Sequence, residues 1–265
     1  MDDSYAVRRF GRVNWLGMWT LAHREINRFW SVKGQTVMAP LVTGALFLFI
    51  FNIAIGPRRG DVMGVPLIVF LAPGIMMMSA IQNAFANTSS SMMIAKMQGT
   101  IVDTLMPPLS AAEIVSGYIL GGVARAMAVV VGLALGVGLF LGVWPDHLGL
   151  MLLYTVMGGV LMSAIGLFAG MYAEKFDQMA VITNFVITPL SFLSGTFYSI
   201  TFLPPVLERL SHFNPFFYLI DGMRYAMIGQ SDASILTGII VLSALCVIAV
   251  GSVWRMIKIG YRIKP

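Results

Sequence analysis

PLSFLSGTFYSITFLPPVLERLSHFNPFFYLIDGMRYAMIG, residues 189–229, decides how this 265-residue chain is read. The stretch opens apolar enough for a membrane span, yet Pro189, Gly195, Pro204, Pro205 and Pro215 interrupt it. Proline removes a backbone donor and clashes with the preceding turn, so no straight helix runs through. The spacing predicts a span ending near Ser199, followed by two short helices broken at Asn214-Pro215. These re-entrant helices would dip into the membrane edge without crossing it. Irregular backbone at that depth is tolerated only where protein or water satisfies its polar groups. Asp221 and Arg224 fall three apart in this aromatic stretch and are predicted to form a structural ion pair on one helix face.

The remainder of the chain is as apolar. Hydrophobic residues make up 58% and charged residues 11%, outside the soluble range on both counts. Apolar runs at 37–55, 65–95, 114–143, 148–172, 178–199 and 234–254 predict six spans. The expected fold is an all-α integral membrane protein, one transmembrane domain over 1–265, with outer re-entrant helices at 200–230. A net charge of +5 belongs to basic residues at the inner ends of spans and calls for no nucleic acid. The one cysteine, Cys246, lies in an apolar run and leaves no disulfide framework. No apolar core follows the N-terminal arginines before residue 37, so no cleavable signal peptide is expected.

Residues 14–33 are amphipathic at helical period. Trp15, Met18, Trp19, Ala22, Ile26, Phe29 and Trp30 share one face, opposite Arg24, Asn27 and Arg28. Three tryptophans beside a basic face predict a helix lying in the cytoplasmic interface; a soluble helix packed on a partner is the alternative. In the second span Asn83 and Asn87 are four apart, hence on one face, where they either bond a neighbouring helix or line a polar path. Arg125 is placed near the cytoplasmic face, because residues 126–143 alone cover ~27 Å of uncharged helix. There it would pair with loop acids or lipid phosphate. Counting Arg125, thirteen Lys/Arg fall on the side of the N-terminus and four (Arg58, Arg59, Arg209, Arg224) on the other. That bias puts both termini in the cytoplasm.

Read as an ordered set, Leu-Pro-Pro, then Asn214-Pro215 with Tyr218, then Asp221 and Arg224, resembles the ABC-2 type permease family. The inner segment 96–113 is also similar to that family's coupling helix. Gly99, Thr100, Asp103, Leu105, Pro108, Leu109 and Ser110 match its pattern, with Glu113 at an often acidic position. The resemblance covers essentially all 265 residues. It implies a permease in the bacterial cytoplasmic (inner) membrane, built as a homodimer and bound to two copies of a separate ABC ATPase. On this reading Gly99, Thr100, Asp103, Leu105, Pro108 and Glu113 contact the ATPase. Asn83, Asn87, Phe192, Phe197, Tyr198, Phe216, Phe217 and Tyr218 form the translocation path and its apolar outer gate. Lipid surrounds the spans, and spans one, two and five would line the route.

Catalytic constellations are missing from the sequence. No lysine follows a glycine, so no G-x-x-x-x-G-K-[ST] phosphate cradle can form. ATP and Mg are therefore expected on the partner, and no cofactor on this chain. His23, His147 and His212 fall in separate segments, and Ser89 to Ser91 have no histidine near in sequence. The resulting expectation is an ATP-driven exporter of an amphiphile: lipid, glycolipid, polysaccharide-lipid or hydrophobic drug. An intramembrane lipid-modifying enzyme and a non-transporting scaffold are the competing classes.

Overall fold

The computed structural model describes residues 11–56 and 61–262. The orientation count over Arg8, Arg9, Arg58, Arg59 and Lys264 therefore lies partly outside the described residues. The described chain is helical, with one isolated antiparallel bridge at Val62–Val65. In order, the helices are α1 (Trp15–Ser31), α2 (Ala39–Ala54), α3 (Leu67–Met97), α4 (Ile101–Leu105), α5 (Ala111–Leu141) and α6 (Leu148–Tyr172). Then follow α7 (Phe176–Ile182), α8 (Thr188–Phe192), α9 (Pro205–Ser211), α10 (Pro215–Ile228) and α11 (Ile235–Ile259).

Two single π turns, Gly34–Met38 and Thr183–Ile187, lead into α2 and α8. Each ends two residues short of a proline, Pro40 or Pro189. In both, the residue before the proline donates five residues back, Ala39 to Gly34 and Thr188 to Thr183. A helical proline clashes with the carbonyl four residues behind it, and one widened turn relieves that clash.

α3 is the central helix, packed by α2, α5, α6 and α10. Its apolar residues surround the axis instead of forming one stripe, the pattern of a helix buried on all sides. α6 approaches it backbone to backbone. A Cβ at Gly166 would sit 2.6 Å from the Phe85 carbonyl oxygen, and one at Gly170 2.7 Å from that of Ser89. Small residues four apart are what permit such contact between membrane helices. By contrast α2 and α11 bury little of their surface within the chain and turn most of it outward.

Among the described residues, five helical stretches are long and apolar enough to cross a membrane: Gly34–Ala54, Leu67–Met97, Ala111–Leu141, Leu148–Tyr172 and Ile235–Ile259. The segment 178–199, expected as the fifth of six, is a broken one. α7, its π turn and α8 make a continuous helical run over 176–192, after which the chain leaves the helix at 193–199. This irregular piece lies on α3 at Gly74, where a Cβ would meet the Thr196 carbonyl oxygen at 2.7 Å. The break at Asn214-Pro215 is present as read: α9 is exposed, while α10 is buried against α3, α6 and α11.

α1 packs on α5 and leaves its three tryptophans outward. Leu21, Ala22, Glu25 and Phe29 are buried, whereas Trp15, Trp19 and Trp30 stay exposed. Gly117 and Gly121 of α5 lie directly beneath Leu21 and Glu25. Glu25 on that packed face has two cationic neighbours, Arg24 and Arg28.

Filling the α3–α6 contact tests this packing. Gly166→Val should destabilise the purified chain by about 1–3 kcal/mol through overpacking, read as a lower detergent melting temperature. The same change at Gly149, where a Cβ meets nothing within 4 Å, should leave that temperature unchanged.

Candidate functional site

α3 ends at Met97, and two residues on Gly99, with a φ of +72°, takes a left-handed conformation that glycine adopts without penalty. The chain turns there into α4, a short helix with two faces. Ile101 and Thr104 are buried; Val102, Asp103, Leu105 and Met106 are exposed, Met106 at 77%. The result is an apolar tip with one carboxylate on it. Gly99, Thr100, Asp103, Leu105 and Pro108 all lie on this surface.

Glu113 does not lie on that surface, which corrects its expected role as a partner contact. It is buried, accepting from the Ser110 amide at 2.6 Å and from the Asn14 amide at 2.6 Å. Ser110 Oγ in turn accepts from the Glu113 amide at 3.3 Å. This capping box carries an added backbone donor and joins the starts of α1 and α5. Asn14 completes the clasp by donating to the Pro108 carbonyl at 3.3 Å.

Beneath α4 lies a polar junction centred on Glu25, a residue the sequence reading passed over. Its side chain is fully buried, and its oxygens accept from Arg24 at 3.3 Å, Arg28 at 3.2 Å and Ser91 Oγ at 2.9 Å. Arg24 also reaches Thr104 Oγ1 of α4 at 3.1 Å and Tyr118 Oη of α5 at 3.2 Å. Arg28 reaches the Asn87 carbonyl at 2.6 Å and its Oδ1 at 3.1 Å. Four helices, α1, α3, α4 and α5, meet through one carboxylate and two guanidinium groups. Arginine one before and three after Glu25 was the available signal.

Asn83 and Asn87 share a face of α3 as read, and both side chains are buried against cations. Asn83 Oδ1 accepts from Arg125 Nε at 3.1 Å and Nη2 at 2.8 Å. Arg125 was expected to meet a loop acid or lipid phosphate; within the chain its partner is this neutral amide. About one turn of α3 thus presents its two amides to α1 and α5, helix to helix.

At the far end of the bundle, Asp221 and Arg224 pair at 3.7 Å, and Asp232 joins at 3.7 Å on the same Arg224 nitrogen. Arg224 is fully buried, donates to the Gly195 carbonyl and lies 4.1 Å over the Phe70 ring. Asp221 accepts from the amides of Asp232 at 2.7 Å and Ala233 at 3.1 Å. Asp232 accepts from Ser199 Oγ at 2.6 Å. Asn214 donates to Leu190 at 2.9 Å and Ser194 Oγ at 2.8 Å. The bonds to the Gly195 carbonyl and to the Ser194 and Ser199 hydroxyls fix α10 and the segment after it to the irregular 193–199 region. Asp232 lies eight residues beyond Arg224, outside any helix-face rule.

The six aromatic residues expected at an outer gate divide into two groups. Phe192 and Phe197 stack at 5.4 Å, and Phe197 continues onto Phe51 at 5.2 Å and Phe47 at 6.2 Å. Tyr198 is half-buried beside them. Phe216, Phe217 and Tyr218 are buried in the packed face of α10, which Pro215 starts within the bundle. Phe47 and Phe51 of α2, four apart, complete the cluster and were not foreseen.

Removing one side of the Arg224 network leaves a buried charge without its partner, a loss of about 3–5 kcal/mol. Asp232→Ala and Arg224→Ala should each cut the yield of monodisperse protein severely, while Arg209→Ala, at an exposed position, should not.

The profile of the ABC-2 type transporter family matches residues 17–228. The chain is 38% identical over 247 residues to the inner membrane transport permease YadH of Escherichia coli K12, covering 93% of this chain and 96% of that one. It is also similar to nodulation protein J of Rhizobium leguminosarum bv. viciae, at 27% over 242 residues, and of Sinorhizobium fredii, at 26% over 241 residues. Those alignments cover 90% and 89% of this chain, and 91% and 88% of the relatives. With a profile spanning most of its length and a relative aligned nearly end to end, the chain belongs to the ABC-2 type transporter family.

Proposed function

We propose that this chain is the membrane subunit of an ATP-driven exporter in a bacterial inner membrane, moving an amphiphile out of the cytoplasmic leaflet. Two copies form the channel, and each binds a separate ABC ATPase that carries ATP and Mg. The ABC-2 family supports the ATPase partner, and the printed name of the YadH relative supports inner-membrane transport. The single observation that carries the mechanism is α4. It offers Val102, Asp103, Leu105 and Met106 outward, while Thr104 is bonded through Arg24 to the Glu25 junction.

On this reading both termini and α4 face the cytoplasm, and the run 176–192 with its broken extension is a sixth span. ATP-driven closure of the ATPase pair pushes on α4. Arg24, Glu25 and Arg28 pass the displacement to α3 and α5 as one body. The aromatic cluster of Phe47, Phe51, Phe192 and Phe197 is the apolar constriction that parts. Apolar side chains at such a constriction suit a lipid-like substrate better than a small ion, whose desolvation they would not repay.

Two substitutions test the two ends of this path. Asp103→Arg with Leu105→Arg should abolish capture of the ATPase from co-expressing membranes, with membrane insertion intact; full capture and full ATP hydrolysis would contradict the docking assignment. Phe197→Ala should raise ATP hydrolysis without substrate or widen the range of exported amphiphiles. No change in either would remove the constriction.

A further inference from the structure

α6 ends without the closure used by its neighbours. α5, α10 and α11 each stop on a glycine in the left-handed region, Gly142, Gly229 and Gly260, which folds the chain back onto its last carbonyls. α6 stops on Ala173, an extended residue, so its last carbonyls need partners from outside the helix. Lys96 of α3 and Arg262, just beyond α11, supply them. Lys96 Nζ donates to the Met171 and Ala173 carbonyls, the latter at 3.1 Å. Arg262 donates to the Tyr172 carbonyl at 3.1 Å, lies 4.4 Å over the Tyr172 ring and pairs with Glu174 at 3.9 Å. Cations suit the negative end of a helix, so capping alone accounts for the sign of both charges.

Position separates the two. Lys96 is the penultimate residue of α3, and its own carbonyl accepts from the Gly99 amide at 3.1 Å, closing the turn into α4. Its side chain grips the turn at 173–175 that leads into α7. That turn is bonded to α7 in its own right: the Glu174 amide donates to Gln178 Oε1 at 2.8 Å, and the Gln178 amide to the Lys175 carbonyl at 3.1 Å. α7 buries only Met179, and among the described residues no hydrogen bond of the Glu25 junction reaches it. Yet the helical run that α7 opens ends at Phe192, stacked on Phe197 in the aromatic cluster. Arg262 joins the same turn to the end of α11 and bonds neither α3 nor α4.

We propose that Lys96 is a positioning residue for export: the link by which a displacement of α4 reaches α7 and, along the run 176–192, the Phe192 side of the constriction. This rests on the exporter reading above. It adds a second branch beside the Glu25 junction, which serves α3 and α5 but leaves the broken span undriven at its inner end. One ammonium bonded to two carbonyls of the same turn holds that turn at two points, so the end of α3 and the start of α7 move together.

Spin labels test the link in the proposed complex of two copies with an ABC ATPase, in nanodiscs. Labels at the exposed Val181 of α7 report the distance between the two α7 runs, and labels at the exposed Met97 that between the two α3 ends. ATP with Mg should shift both distances in the wild type. Lys96→Met should keep the Met97 shift and lose the Val181 shift, Lys96→Arg should regain it, and Arg262→Met should keep both. A Val181 shift of wild-type size in Lys96→Met overturns the proposal, even where that variant melts earlier in detergent, since capping alone gives that result. Loss of the Val181 shift in Arg262→Met overturns it as well, because any loosening of the turn would then suffice. No Met97 shift in the wild type would overturn the exporter reading, and the proposal with it. Should Lys96→Met not purify, the wild type decides. With unlabelled chains in excess, the Met97–Val181 distance within one chain should stay fixed when ATP is added, and a change in it overturns the link.

Discussion

The carboxylate of Glu25 is the constraint on which one end of the molecule depends. Buried beside apolar helices, it is stable as an anion only because Arg24, Arg28 and Ser91 bond it. Arg24 then reaches α4 and α5, and Arg28 and Ser91 tie the carboxylate to α3. α4, only five residues long, could not hold a conformation alone, since a helix that short lacks the length to repay nucleation. Its attachment to Arg24 through Thr104 and the burial of Ile101 give it a fixed seat. A small surface knob is thereby made part of a rigid body.

The opposite end is held by the same physics with the signs exchanged. There a buried cation, Arg224, is bonded by Asp221, Asp232 and the Gly195 carbonyl. Breaks in helical backbone need partners wherever water is absent, and the chain supplies them from residues 214–232. Between the two polar knots the contacts are close-packed and mostly apolar, with Asn83–Arg125 and Thr88–Ser163 as polar exceptions, and α3 runs the whole distance between them. Force applied at α4 has a continuous, stiff element to travel along.

Much of this was legible in the amino-acid order. Length and polarity of the apolar runs located five helices long enough to span, and Asn214-Pro215 located a break. By contrast, the helix runs through Pro189 by way of a π turn and ends at Phe192. The Gly99 to Ser110 pattern placed α4. What escaped were the assignments that depend on tertiary neighbours. Glu25 looked like one charge of a polar face, and only the approach of α5 at Gly121 buries it. Glu113 carried the composition of a docking residue but serves as a cap, since its partner Asn14 is 99 residues away. Phe216 and Phe217 had the same aromatic character as Phe192 and Phe197, and burial alone separates them. Periodicity reports which residues share a face, not which neighbour that face meets.

That α4, α1 and the inner end of α3 move as one body is open to direct measurement. Spin labels at the exposed positions Val102 and Trp19, in the proposed complex of two copies with an ABC ATPase in nanodiscs, report the distance from α4 to α1; labels at Val102 alone report the distance between the proposed copies. Adding ATP with Mg is expected to shift the distance between copies and leave the α4–α1 distance unchanged. An α4–α1 distance that changes while the copies stay where they were would contradict the rigid junction, and with it transmission through Glu25.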